Sequence, residues 1–186
     1  VSIQTNAIKT QYDDVTIDNL RGNILIQNGT LKLSNGTLGI IGATAKMDAM
    51  YKNEGTQKAY FDYKINASEF DIKRAYNEIK MFREIVTAAE SAEGIVGLNY
   101  SIKGVLNNQM EPIMPSLEGS GILSVKKVKM KGFKLLNVVS SKTENPDIKD
   151  PDISKVDIKT TIKNNIVTIE RFKFKVAGFR LRFEGQ

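Results

Sequence analysis

The feature that most constrains this chain is an alternation of apolar and polar residues with period two, broken repeatedly by turn-forming pairs. Residues 23–42 read NILIQNGTLKLSNGTLGIIG. Ile24 and Ile26 alternate before Asn28-Gly29, Leu31 and Leu33 lie between it and Asn35-Gly36, and Leu38 and Ile40 follow. Alternation of this kind puts one set of side chains on one face of a strand. Asn-Gly is the favoured pair for a type I′ turn, because both central residues need positive φ. The stretch therefore reads as a meander of short strands, with the alternative that either pair marks a bulge. Asn28, Asn35, Asn66 and Asn99 also head Asn-x-Ser/Thr sequons. A turn accounts for the first two without any sugar.

The same period continues along the chain. Ala43, Ala45, Met47, Ala49 and Tyr51 share one face. After a turn at Asn53-Glu54-Gly55, so do Ala59, Phe61, Tyr63, Ile65 and Ala67. Val96 to Ile102 alternate, and Leu123 and Val125 follow Gly121, with Val128 and Met130 in the opposite phase. Val156, Ile158 and Ile162 lead to the turn pair Asn164-Asn165. Phe172, Phe174 and Val176 run into Ala177-Gly178, and Phe179, Leu181 and Phe183 run out. Between strands, Ile72, Ala75, Tyr76, Ile79, Phe82, Val86 and Ala89 recur at helical spacing, with Asp71 placed to cap the start and Gly94 just beyond the end. A break near Met81 is allowed by the pattern. A shorter helix after Gly132 follows from Phe133, Leu136 and Val139. Residues 140–152, SSKTENPDIKDPD, are polar with two prolines and read as a mobile surface loop. The expectation is a single mostly-β, α+β domain over residues 1–186. It is a curved or folded-over antiparallel sheet of about ten strands, with one longer and one short helix.

Composition narrows the chemistry. The 186 residues include no cysteine and no histidine. Disulfides, thiolate metal sites and Ser-His-Asp catalysis are therefore excluded, and the usual base near neutral pH is missing. No phosphate loop, dinucleotide fingerprint or nucleophile elbow is present. Asp147, Asp150 and Asp152 with Asn145 offer oxygens for calcium, but their spacing lacks the central glycine and distal glutamate of an EF-hand loop. The reading is of a non-enzyme with no catalytic residue, no cofactor and no metal. No run of about 18 apolar residues provides a spanning helix. The chain opens at Val1 and stops at Gln186 just after a strand-like run, so it reads as a piece of something longer.

The net charge of +6 suits phosphate-bearing partners. In SVKKVKMKGFK, Lys127, Lys129 and Lys131 point one way while Val128 and Met130 point the other. Lys173, Lys175, Arg180 and Arg182 alternate in the same manner with the aromatics of the last two strands. These seven are the candidates for contact with anionic headgroups. Nucleic acid is not expected, because no RNA- or DNA-binding module fits and aromatics do not interleave with the lysines. The apolar faces pose a covering problem, since so little helix is available for so many strands. A face left open would suit acyl chains. The candidates for lining it are Met47, Tyr51, Phe61, Tyr63, Ile65, Phe172, Phe174, Phe179, Leu181 and Phe183.

The order of these patterns resembles the AsmA-like family. LRGNILIQNGTLKLSNGTLGIIGATAKMDAMY is similar to the family's strand pair and following long hairpin, and FDIKRAYNEI to the start of its helix. The segment SAEGIVGLNYSIKGVLNNQMEPIMPSLEGSGILSVKKVKMKGFKLLNVV carries the Leu-x-Gly-x-Gly return (Leu117, Gly119, Gly121) and the short helix after it. ISKVDIKTTIKNNIVTIERFKFKVAGFRLRFEG resembles the closing strands, with Asn164-Asn165 where the family often has glycine. The likeness runs from about residue 15 onward. It implies the C-terminal periplasmic region of an inner-membrane-anchored protein of Gram-negative bacteria, tied to outer-membrane biogenesis. It also implies a β-sheet groove that carries phospholipid, without catalytic residues. The anchoring segment, at the N-terminal side, is missing here, as is most of a long groove. The rival expectation is a structural or interaction module of the cell envelope with a dry packed core, binding an envelope protein partner.

Overall fold

The computed structural model describes residues 1–12, 15–55, 58–176 and 178–186; the side chains of Tyr12 and Phe179 lie outside the description. Ten strands form one curved antiparallel sheet in simple sequence order. They are β1 (Ser2–Tyr12), β2 (Val15–Gln27), β3 (Thr30–Ile40), β4 (Ala43–Asn53), β5 (Ala59–Asp71), β6 (Ala92–Leu106), β7 (Glu118–Met130), β8 (Asp152–Lys163), β9 (Ile166–Val176) and β10 (Phe179–Gly185). The mostly-β, ten-stranded expectation holds.

The two Asn-Gly pairs take different roles. Asn28-Gly29 closes the β2–β3 hairpin, with φ of 50° and 70° and Gln27 facing Thr30. Asn35-Gly36 lies inside β3, where Asn35 at φ 53° forms a bulge and the strand runs on. The meander there consequently has fewer and longer strands than two turns would give. A second bulge explains the phase change in β7. Ile95 faces Lys127 while Val96 faces Val125, so Lys126 is the extra residue and both Val125 and Val128 are buried. Asn164-Asn165 forms a tight turn as expected. Ala177 lies outside the described residues, so the Ala177-Gly178 turn is described only at Gly178, whose φ is 82°.

The long helical stretch is realised in pieces: α1 (Ile72–Glu78), α2 (Lys80–Ile85) and a 3-10 turn, Thr87–Ser91. The Asp71 carboxylate accepts the Arg74 N–H at 2.9 Å, capping α1 as expected. The break falls at Ile79, whose backbone is extended, two residues before Met81. It lets α2 serve two clusters, with Phe82 packing on one core cluster and Met81 and Ile85 on the other. Gly94 is not a helix cap. It pairs with Val128 inside β6 at φ 135°, where a Cβ would strike the Lys127 carbonyl oxygen. The short helix α3 (Lys134–Thr143) buries Leu136, with Phe133 and Val139 packed beside it. Residues 140–143 belong to this helix, and a 3-10 turn at Pro146–Ile148 puts Ile148 into the core at 1% exposure.

The core lies on one face of the sheet in two clusters. The larger joins Leu38, Ala45, Ala67, Val96, Val125 and Val156 to α1, α3 and the 146–148 turn. The smaller joins Phe61, Tyr100, Ile102 and Ile162 to Leu117, under the connection that carries the 3-10 turn Met114–Ser116.

Candidate functional site: an apolar sheet face that stays partly open

Cross-strand register decides which side chains share this face. Directly opposed residues of an antiparallel pair point the same way. One row can be followed across nine strands: Ile3, Ile24, Leu33, Ala49, Tyr63, Ile102, Gly119, Ile162 and Val167. Its one polar side-chain group is the Tyr63 hydroxyl. At about 4.8 Å per strand, its eight steps span roughly 38 Å across the sheet. Flanking rows are nearly as apolar. Gly36, Met47, Ile65, Tyr100 and Gly121 make one, and Ile26, Leu31, Tyr51, Phe61 and Gly104 another.

Cover over this face is uneven. The helices and the 107–117 connection bury its ends, while Ala49, Tyr63, Ile65, Leu98 and Leu123 remain half-buried. Toward the β1–β3 side the face opens to solvent: Ile3 is 46% exposed, Ile26 44% and Leu31 39%. A protein of this size normally hides such a patch or uses it.

Nine of the ten lining candidates belong to this face, but they differ in exposure. Met47, Tyr51, Tyr63, Ile65, Phe172, Leu181 and Phe183 are half-buried. Phe61 and Phe174 are core, at 2% and 8% exposure. Phe61 lies against the space left by Gly104 and in the cluster of Leu117, with its ring 4.8 Å from that of Tyr63. Phe174 stacks on Phe172 at 5.7 Å, and Phe172 meets Phe183 at 5.6 Å. The Phe179 side chain lies outside the described residues. The sequence pointed to β4, β5, β9 and β10 but missed Ile3, Ile24, Ile26 and Leu31, where the face is most open. Their alternation was visible; their alignment with Tyr51 and Tyr63 depends on the bulge at Asn35.

The seven basic candidates are all exposed and lie on the opposite, polar face or at its end. They form two separate groups, with β8 between. Lys131 pairs with Glu93 at 2.6 Å, which holds that carboxyl below its ordinary range. Lys129 faces Asp152 and Lys127 faces Ser154. Lys173, Lys175, Arg180 and Arg182 lie together on β9 and β10.

The Asp150 carboxylate accepts the Gly132 N–H, and Asn145 caps the 146–148 turn. Among the described residues no group of three or more acidic side chains is placed to hold a metal ion, and no helix is long and apolar enough to cross a membrane. In comparisons with family models, with curated proteins and with solved structures this chain finds no match, so the functional reading rests on the geometry of the sheet face.

Proposed function

We propose that this chain is a non-enzymatic domain of the bacterial cell envelope that binds phospholipid acyl chains along its apolar sheet face. The observation that carries the reading is the apolar row crossing nine strands, on a face that Ile3, Ile26 and Leu31 leave open to water on its β1–β3 side. A surface of this kind is lined by flexible aliphatic and aromatic groups, with tyrosine hydroxyls as the polar groups among them. It fits long apolar chains better than compact polar ligands. The family resemblance adds a place: the periplasm, as part of an inner-membrane-anchored protein in outer-membrane biogenesis.

The test uses protein purified without detergent and a labelled phospholipid. Uptake is compared among three proteins: the natural chain, an Ile26→Asp/Leu31→Asp variant, and a Leu25→Asp variant. Leu25 is 42% exposed on the same strand but faces the polar side. The double variant is expected to lose about tenfold or more in uptake, in line with the removal of two apolar contacts. Leu25→Asp is expected to behave as the natural chain. Undiminished uptake by the double variant, or no uptake by any of the three, sinks the acyl-chain reading and favours the packed interaction module.

A further inference from the structure

Several charges on the polar face stand directly opposite a charge of the other sign. Lys9 faces Asp18, Asp48 faces Lys64, Lys103 faces both Asp62 and Glu118, and Lys129 faces Asp152. The β9–β10 hairpin breaks this pattern twice in adjacent rungs. Lys173 faces Arg182, and Lys175 faces Arg180. Like charges directly opposed weaken a strand pair. Among the described residues none of the four joins an ion pair.

Nearby carboxylates do not neutralise the group. Glu184 is engaged by Arg171 through bonds of 2.8 and 3.2 Å, and its carboxyl lies below the ordinary range chiefly for that reason, with Arg182 adding to it. Lys175 lines a cleft of about 490 Å³ together with Asp147, Asp150 and Asp152, but pairs with none of them. Two like-charge rungs in one hairpin, beside opposite-charge pairs on other strands of the face, mark a site whose charge is kept for a partner.

We propose that the outer face of the β9–β10 hairpin docks on a bilayer surface rich in anionic phospholipid, its four cations seated among headgroup phosphates. Two rungs of adjacent strands set the cations in a compact two-by-two array, with strands about 4.8 Å apart. Long basic stems let the charges reach a phosphate plane while the backbone stays above it. Phe172, Phe174 and Phe183 project from the opposite face. The array therefore lacks the interleaved aromatics on which bases would stack, and this favours a bilayer over single-stranded nucleic acid. The proposal goes beyond acyl-chain binding, since docking occupies the other side of the sheet.

The experiment is vesicle flotation at fixed ionic strength, with phosphatidylcholine alone or mixed with phosphatidylglycerol. The natural chain should float only with the anionic vesicles. An Arg180→Glu/Arg182→Glu variant should bind at least about 30-fold more weakly. It should also melt at a higher temperature, because both rungs become opposite-charge pairs. A Lys32→Glu/Lys46→Glu variant carries the same charge change on the same face of β3 and β4 and should bind as the natural chain does. Equal losses in both variants would reduce the effect to net charge and overturn the docking site. So would binding to neutral vesicles, or tighter binding to a single-stranded oligonucleotide that displaces the vesicles. Labelled-phospholipid uptake by the hairpin variant should be unchanged, which separates failure of docking from failure of the acyl-chain reading.

Discussion

Tyr100 shows how single residues hold this sheet together. It stands on β6, reaches over β7, and hydrogen-bonds Thr160 on β8 at 3.0 Å. Its ring occupies the space above Gly121 and close to Gly119, where no Cβ intervenes. An aromatic side chain covering a strand glycine restores packing that the glycine alone would forfeit. Burial pushes the Tyr100 phenol up, and the bond to Thr160 opposes that in part. A Cβ at Gly121 would fall inside contact distance of both the Tyr100 ring and the Asn99 carbonyl oxygen. Gly121→Ala is therefore expected to cost about 1–3 kcal/mol in urea unfolding, as overpacking does. Tyr100→Phe should cost only about 1 kcal/mol, the worth of one hydrogen bond. A Gly121→Ala variant as stable as the natural chain would mean that the ring moves freely aside. The Leu-x-Gly-x-Gly spacing made the glycines conspicuous in the sequence. Their tenant was not legible there, because Tyr100 lies about twenty positions away and only register brings it across.

At the scale of elements, the same dipeptide made a turn once and a bulge once. Asn28 and Asn35 have nearly equal φ, 50° and 53°, so local conformation does not separate them. The surroundings do. The Asn35 N–H donates to the Asp48 carboxylate at 2.9 Å, and the Leu33 side chain fills the space that Gly22 and Gly36 leave bare. Asp48→Ala should accordingly cost about 1 kcal/mol in equilibrium unfolding, since it frees a backbone donor at an exposed site. An unchanged midpoint would show that packing of Leu33 alone sets the bulge. A signal for this outcome was present: the apolar residues change parity between Leu33 and Leu38, as they do between Val125 and Val128. Such a slip is what an extra residue imposes on a period of two. The helix told less. Its apolar spacing is continuous from Ile72 to Ala89, yet the chain extends at Ile79 so that α2 can serve both core clusters. That demand comes from the sheet beneath and is not written in the helix. Ile148 was hidden for a similar reason, as one apolar residue in a run of polar ones that fills a hole made by distant strands.

For the molecule as a whole, strand number and antiparallel order were legible, because most connections are only a few residues long and carry turn chemistry. Which rows cross the sheet was not, since each bulge re-aims everything after it. Electrostatics at this scale rest on exposed pairs. The carboxyls of Glu93, Glu111, Glu118 and Glu184 all lie below their ordinary value of 4.5, through hydrogen bonds to Lys131, Lys80, Lys103 and Arg171 respectively. A carboxyl depressed on folding adds stability above its unfolded value and loses it as pH falls through the folded one. These four contributions are therefore present at pH 7 and fade from about pH 4.5 downward. No histidine exists to add a slope between pH 5 and 7. Calorimetric melting should give a level midpoint over that upper range and a steady fall below it. Replacing all four glutamates by glutamine should lower the plateau slightly, as expected for exposed pairs, and flatten the acid-side fall. A fall equally steep in the fourfold variant would show that these four ion pairs do not carry the acid lability.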